Sequence, residues 1–124
     1  MKRLFAVAAL AVVLSPAAAF AQTGDAVKGA ATFKMRCGIC HSVTGADTPM
    51  APSLKGVAGR KAGAGSASFK YSDALKTYGK PWTPATINTF LAGSQKMVPG
   101  TKMMITIPDA QQRADIVAYL ATVK

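Results

Sequence analysis

The sequence Cys37-Gly38-Ile39-Cys40-His41 decides how this chain folds. It contains both cysteines and the single histidine of the 124 residues. A disulfide between cysteines three positions apart would close a very small loop and would contribute little stability. The spacing therefore needs another explanation, in which two neighbouring thiols and an imidazole act together.

The C-x-x-C-H pattern is the attachment signature of a c-type haem. Two thiols at this spacing can reach the two vinyl groups along one porphyrin edge, and His41 can donate its Nε2 to the iron. Two other interpretations are less well supported. A thioredoxin-like redox pair requires a βαβ setting, which this sequence does not predict. A structural zinc site requires four ligands, so a carboxylate would have to complete Cys37, Cys40 and His41.

Residues 1–21 have the pattern of a secretory signal peptide. Two cations at positions 2 and 3 precede an unbroken apolar run over Leu4–Leu14, and the small-x-small sequence Ala-Phe-Ala occupies positions 19–21. The apolar run is far shorter than the ~20 residues of a membrane-spanning helix. We therefore expect cleavage after residue 21, export to the periplasm, and a mature domain over residues 22–124.

Composition and charge narrow the class of the mature domain. The whole chain has a net charge of +10, and residues 22–124 keep 13 Lys and Arg against five Asp, a net charge of +8. The high apolar content excludes a disordered chain, a collagen and a disulfide-dense miniprotein. The cations are dispersed and the chain is expected to be exported, which argues against binding to nucleic acid. We expect one monomeric domain whose partners carry acidic surfaces.

Helix start and stop signals predict three or four helices joined by long loops, without strands. The loops over 44–68 and 96–107 are too long for so small an apolar core to order. We therefore expect a bulky apolar group at the centre of the domain. The predicted helices run from Thr23 to Cys40 with Asp25 as a cap, from Ser72 to Lys76 with a stop at Gly79, from Thr83 to Leu91 or Ala92 with a stop at Gly93, and onward from a cap at Asp109.

A haem iron bound by one histidine has a second axial position, and the sequence limits what can fill it. A second histidine is absent from the sequence, so methionine is the natural candidate. Met35 is adjacent to the attachment motif and cannot reach across the haem. Met97, Met103 and Met104 lie in one loop, and any one of them could instead fill a gap in the core.

The chain as a whole resembles class I c-type cytochromes, in the branch that includes mitochondrial cytochrome c and its bacterial relatives. The resemblance covers nearly all of residues 22–124, and the Pro-Gly-Thr-Lys-Met sequence that ends at Met103 is highly specific. It implies the cytochrome c fold, an all-α fold of three to four helices with long loops wrapped around one covalently bound haem c. The matching segments are Gly24-Asp25, Gly29–Phe33, Cys37–His41, Gly56–Lys61, Phe69–Ala74, Trp82, Val98–Met103 and Ala114–Leu120.

The resemblance also implies a set of haem-binding residues. Met103 is the expected distal ligand, and the carbonyl of Pro52 is expected to accept a hydrogen bond from the ring of His41, which orients that ligand. Polar side chains are expected around the haem propionates, since buried carboxylates require donors. The full set is Cys37, Cys40, His41, Pro52, Arg60, Tyr71, Trp82 and Met103, with His41 and Met103 as the iron ligands and Arg60, Tyr71 and Trp82 as the propionate donors.

Other positions show where the resemblance holds and where it fails. Phe90 stands where the mitochondrial branch usually has a tyrosine, Leu75 where it has an asparagine, and Ile105 where it has a phenylalanine. All three changes make the distal side more apolar. The expected contact between the first and last helices involves Gly29, Phe33, Ile116 and Tyr119.

The function that the resemblance implies is electron transfer. His/Met ligation saturates the iron and raises its potential. It leaves no position for a substrate, so we expect no enzyme activity. We expect a soluble periplasmic cytochrome that accepts electrons from a quinol-oxidising cytochrome complex and donates to a terminal oxidase, a photosynthetic reaction centre or a periplasmic reductase. Contact with a membrane would be transient and made through these proteins. The alternative is a haem enzyme or gas-binding protein, of peroxidase-like type, in which Met103 dissociates readily.

Overall fold

The computed structural model describes residues 22–124, so the expected signal peptide lies outside the described residues. These residues form helices and loops, and their only strand-like pairing is an isolated bridge between Lys61 and Pro81. The prediction of an all-α fold is therefore confirmed. The helices are α1 (Ala26–Arg36), α2 (Asp73–Tyr78), α3 (Pro84–Ala92), α4 (Ser94–Met97) and α5 (Ala110–Thr122).

The helix starts lie where the capping residues predict them. The side chain of Asp25 accepts from the amides of Val27 and Lys28 and begins α1. Ser72, Thr83 and Asp109 likewise cap α2, α3 and α5 by accepting from backbone amides in the first turn. Each bond satisfies an amide that has no partner within its helix.

The predicted extent of the first helix is wrong at its carboxyl end. The helix ends at Arg36, and the amides of Cys37 and Gly38 both donate to the carbonyl of Phe33. The amides of Cys40 and His41 then fold back onto the carbonyl of Cys37, at 3.0 and 2.8 Å. The C-x-x-C-H sequence therefore lies in a tight turn after α1, and not on a helix face.

Helix α4 is a second difference from the sequence prediction, which placed a loop over 96–107. Its four residues follow α3 directly, with Gly93 serving as the end of one helix and the start of the next. No side chain caps α4, so the usual sequence signal for a helix start is missing. The short α2 also extends to Tyr78, two residues beyond its predicted end, and stops at Gly79 in the left-handed region (φ 51°).

Helices α1 and α5 pack together at the residues that the resemblance implies. The backbone at Gly29 packs directly on α5, so that a Cβ atom built there would lie 1.9 Å from the carbonyl oxygen of Asp115. The rings of Phe33 and Tyr119 contact each other with centroids 5.4 Å apart, and Ile116 is buried in the core. This crossing brings the two ends of the domain together.

A buried carboxylate fastens the same crossing. Oδ1 of Asp115 accepts from the backbone amide of Asp25 at 2.8 Å and from the side-chain amide of Gln111 at 2.9 Å. The Asp25 amide, followed by the Gln111 amide, holds the pKa of the Asp115 carboxyl below its usual value. The start of α1 is thus tied to the middle of α5 by a charge-assisted bond.

Within residues 22–124, the structure contains no helix that is both long and apolar enough to cross a bilayer.

The close approach at Gly29 gives a prediction with a definite sign. Helix propensity alone would make Gly29→Ala stabilising by about 1 kcal/mol. The collision with the Asp115 carbonyl should outweigh this gain, so we expect the free energy of unfolding to fall by about 1–3 kcal/mol. Chemical denaturation of the haem-loaded protein measures the change.

Gly93→Ala is the matched control. Gly93 has an extended φ of −171°, and an added Cβ would meet only the Cβ of Lys96 at 3.5 Å. We expect its effect to stay within about 0.5 kcal/mol. A Gly29→Ala protein as stable as the parent would show that the two helices can separate without cost.

Candidate functional site

A central cavity of about 370 Å³ lies within the folded domain. Residues from α1, α2, α3, α5 and both long loops line it. This matches the expectation that a bulky group occupies the centre. All eight residues of the predicted site line the cavity: Cys37, Cys40, His41, Pro52, Arg60, Tyr71, Trp82 and Met103.

The proximal wall is built around the imidazole of His41. Its Nδ1 lies 2.8 Å from the carbonyl oxygen of Pro52, the contact that the resemblance implies. A carbonyl can only accept, so Nδ1 carries the proton and Nε2 keeps its lone pair. Burial lowers the pKa of His41, and this outweighs the opposing effect of the Pro52 bond. The ring is therefore neutral and its free nitrogen is suited to bind a metal.

A hydroxyl that the sequence analysis missed holds the loop that carries Pro52. The Oγ1 of Thr48 donates to the carbonyl of Cys40 at 2.5 Å and accepts from the amides of Met50 and Ala51. It therefore joins the C-x-x-C-H turn to the loop that supplies the acceptor for His41. The only advance signal was the position of Thr48 shortly before two prolines, which is too common to be diagnostic.

Asp47 connects the same loop to Ser66 and Ser68. Its carboxylate accepts from the Ser53 amide at 2.8 Å and from the hydroxyls of Ser66 and Ser68 at 2.5 and 3.0 Å. These bonds, with that of Ser66 the strongest, hold the pKa of Asp47 below its usual value. One carboxylate thus orders much of the long loop that the sequence predicts.

The two thiols lie side by side at the edge of the cavity. Cys37 is buried, Cys40 is half-buried, and they are not joined to each other. Burial raises the pKa of the Cys37 thiol, an effect that the nearby Arg36 partly offsets. Within residues 22–124, no cluster of three or more His, Cys, Asp or Glu could hold a metal ion. The zinc alternative therefore has no support in the structure.

The methionines occupy distinct positions around the cavity. Met103 lines the cavity and packs against the hydrophobic core. Met50 and Met104 lie at the rim, with 70% and 72% of their surfaces exposed. Met97 packs on the core outside the cavity lining, and Met35 is exposed on α1. Of the five, Met103 combines contact with the cavity and burial against the core.

Two residues that line the cavity carry buried polar donors without partners of their own. The Nε of Arg60 and the hydroxyl of Tyr71 are buried and make no hydrogen bond with residues 22–124. The other guanidinium nitrogens of Arg60 are already bound to the carbonyls of Lys55 and Ser53, both at 3.0 Å. Buried donors are normally satisfied, so these two atoms fit a ligand that brings carboxylates, as a haem does.

Trp82 has a different environment from the other two predicted donors. Its ring contacts Phe90 and Tyr78 at centroid distances of 5.0 and 6.0 Å. Its backbone amide donates to the carbonyl of Arg60 at 2.9 Å, and both residues line the cavity. The structure thus gives Trp82 a packing role in addition to its place in the lining.

Comparison with known proteins agrees with this geometry. Residues 26–124 match the sequence profile of the family described as cytochrome c. The chain belongs to the cytochrome c family. It carries one covalently attached haem c, and Cys37 and Cys40 fit the attachment motif. The thiols, the neutral imidazole and the two unpaired donors in one cavity are consistent with this cofactor.

Similar proteins include bacterial and eukaryotic cytochromes. The chain is 44% identical to cytochrome c2 of Rhodomicrobium vannielii, over 80% of this chain and 79% of the relative. It is 42% identical to cytochrome c2 of Rhodopila globiformis, over 84% and 98%. The solved structure of cytochrome cH from Methylobacterium extorquens has a TM-score of 0.74 and 43% identity, and the match covers 80% of this chain and 99% of that one. These matches establish electron transfer as the function of this cytochrome.

The three departures from the mitochondrial pattern all lie at the cavity. Leu75 and Phe90 line it, and Ile105 is at its exposed edge. Phe90 is buried and has no hydroxyl to offer a ligand sulfur. This cytochrome therefore has a distal wall poorer in polar groups than the mitochondrial pattern.

The role of the unpaired Tyr71 hydroxyl can be tested, because its two possible roles predict opposite changes in the free energy of unfolding. If no group in the haem-loaded cytochrome accepts its proton, Tyr71→Phe should be neutral or stabilising, because it removes an unsatisfied buried group. If a haem carboxylate accepts it, the variant should lose about 1–3 kcal/mol of unfolding free energy. We expect the loss.

Denaturant unfolding of the haem-loaded cytochrome measures this difference. Tyr78→Phe is the control, since Tyr78 is half-buried and lies outside the lining of the cavity. A Tyr71→Phe protein more stable than the parent, beside an unchanged Tyr78→Phe protein, would exclude the propionate contact.

Proposed function

We propose that this chain is a soluble periplasmic electron carrier whose haem iron is held by His41 and Met103. The observation that carries the proposal is that one cavity is lined by a neutral imidazole with a free Nε2 and by a half-buried thioether. When bound, haem c supplies reversible one-electron transfer at its iron. With His41 and Met103 as its two iron ligands, the haem would offer no position for a substrate, and we therefore propose no enzyme activity.

The side chains support this role by keeping the site rigid and dry. Pro52 fixes the orientation of His41, while Phe90, Leu75 and Trp82 exclude water from the distal wall. Arg60 and Tyr71 supply donors for the propionates. Little needs to move when the charge of the site changes, which favours fast electron transfer.

The ligand assignment is tested by removing each candidate sulfur in turn. Met103→Ala should abolish the sulfur-to-iron charge-transfer band at the red edge of the ferric absorption spectrum. Met104→Ala and Met97→Ala should leave the band in place, because Met104 lies at the rim and Met97 lies outside the lining. A Met103→Ala protein that keeps the band, with loss of the band in either of the other two, would reassign the ligand.

The periplasmic location rests on the expected signal peptide. The protein isolated from the periplasm of cells with a haem-attachment system should have the mass of residues 22–124 plus one haem. Mass spectrometry under denaturing conditions measures this directly, because thioether bonds survive unfolding. Release of the haem by acidified organic solvent would exclude covalent attachment, and a mass that includes residues 1–21 would exclude cleavage.

The exposed edge of the site is suited to an acidic redox partner. Among the described residues that line the cavity, Arg36 and Lys102 carry positive charges that are not assigned to the propionates, and no Asp or Glu belongs to the lining. Lys96 on α4 is also exposed, and it lies close to Lys102 in the sequence. Such a field attracts and orients an acidic surface and raises association rates by ~10–10³-fold. We propose that the partners are a quinol-oxidising cytochrome complex as donor, and an oxidase, a reaction centre or a periplasmic reductase as acceptor.

Ionic strength tests this docking surface. The second-order rate of electron transfer with an acidic redox protein should fall by tenfold or more as salt rises, since the Debye length shrinks to about 8 Å at 0.15 M. Lys102→Glu or Arg36→Glu should flatten the dependence. Lys124→Glu serves as the control, because Lys124 is outside the cavity lining. If the rate of the parent protein does not change with salt, the result would instead indicate that the partner docks through an apolar contact at Ile105.

A further inference from the structure

Two polar side chains of α4 bind the segment that carries Met103. The hydroxyl of Ser94 donates to the carbonyl of Met103 at 2.7 Å. The side-chain amide of Gln95 donates to the carbonyl of Thr101 at 2.5 Å, and lies 3.3 Å from the carbonyl of Met103 and 3.0 Å from the sulfur of Met104. The shortest helix of the fold is thus bonded to residues 101–104 through two consecutive residues.

These bonds are not part of the local structure of α4. Gly93 begins the helix, and no side chain caps it. Ser94 is 0% exposed, so its hydroxyl needs a partner within the protein. That partner is nine residues further along the chain, in a segment with neither helix nor strand. The hydroxyl therefore fixes the backbone at Met103 and does not stabilise the start of α4.

The backbone of residues 101–104 has few other restraints. A turn bond from the amide of Thr101 to the carbonyl of Val98, at 3.0 Å, fixes its beginning. Beyond it, Ser94 and Gln95 provide the hydrogen bonds that the structure shows to the carbonyls of Thr101 and Met103. A backbone movement that carries the thioether of Met103 out of the cavity would break the bond to Ser94.

We propose that Ser94 and Gln95 are positioning residues that hold Met103 in place as an iron ligand and slow its dissociation. The inference rests on the proposed function, in which Met103 fills the distal position. Ser94 fixes the carbonyl of the ligand residue, and Gln95 fixes the residues on either side of it. Neither side chain touches the metal, and both act through the backbone of the ligand segment.

Binding of imidazole to the ferric cytochrome tests the inference. Imidazole can reach the iron only after Met103 has left, so the binding rate at saturating imidazole reports how fast Met103 dissociates. At constant pH and temperature, Ser94→Ala should raise this limiting rate at least about fivefold, since one buried hydrogen bond is lost. Gln95→Leu should raise it as well, and because Gln95 is exposed this variant should fold even if Ser94→Ala does not.

Thr89→Val is the matched control. The hydroxyl of Thr89 donates at 3.0 Å to the carbonyl of Ala85 within α3 and makes no hydrogen bond to residues 101–104. Its removal should leave the imidazole rate unchanged. The thermal unfolding midpoint of each variant is measured in parallel, to separate a general loss of stability from an effect on the ligand.

The outcomes separate this inference from the proposed function. If Met103→Ala keeps the sulfur-to-iron band, the proposed ligation is wrong. If Met103→Ala loses the band but Ser94→Ala and Gln95→Leu both bind imidazole at the parental rate, the ligation stands and the positioning role is overturned. A lower unfolding midpoint with an unchanged imidazole rate would also overturn it, since that pattern describes a purely structural residue.

Discussion

The rest of this structure depends on a cavity that the protein's own side chains leave open. The cavity has a volume of about 370 Å³, and its lining is mostly apolar. Leaving such a lining in contact with water is unfavourable, so the stability of the fold depends on the cofactor that covers it. The covalent link through Cys37 and Cys40 keeps that cofactor in place permanently.

The two walls of the cavity are held by different physical means. The proximal wall is fixed by polar bonds to backbone atoms, from Thr48 to Cys40 and between His41 and Pro52. The distal wall is apolar around Phe90, and its ligand segment is held from outside by Ser94. His41 is thus held through its own ring, whereas Met103 is held through its backbone carbonyl.

The parts of the site that depend on local chemistry are predictable from the sequence. The attachment motif has a fixed spacing, and caps such as Asp25 and Thr83 act within one helical turn. For Met103, the residues alone left several candidates, and the resemblance to a known family was needed to choose among them. The assigned site residues all line one cavity, although which of them bind the iron stays a prediction.

The features that were missed depend on contacts between distant segments. Asp47 acts through serines about twenty residues away, and Ser94 acts through a residue nine positions later. Neither spacing belongs to a helix or strand period. The end of α1 at Arg36 was also missed, because the turn that stops it is made by the haem motif itself. Such bonds become visible only when the backbone path is known.

The contact between α1 and α5 has a consequence for how quickly the chain reaches its final structure. Asp25 and Asp115, which it joins, are 90 residues apart. Closing a loop of that length costs about 4 kcal/mol of chain entropy. The two helices have only 11 and 13 residues, so each is marginal alone and gains most of its stability when they meet. A helical domain with this topology should fold more slowly than a bundle in which helices adjacent in the sequence pack together. The reason is that its main helix–helix contact, between α1 and α5, joins segments that are far apart in the sequence.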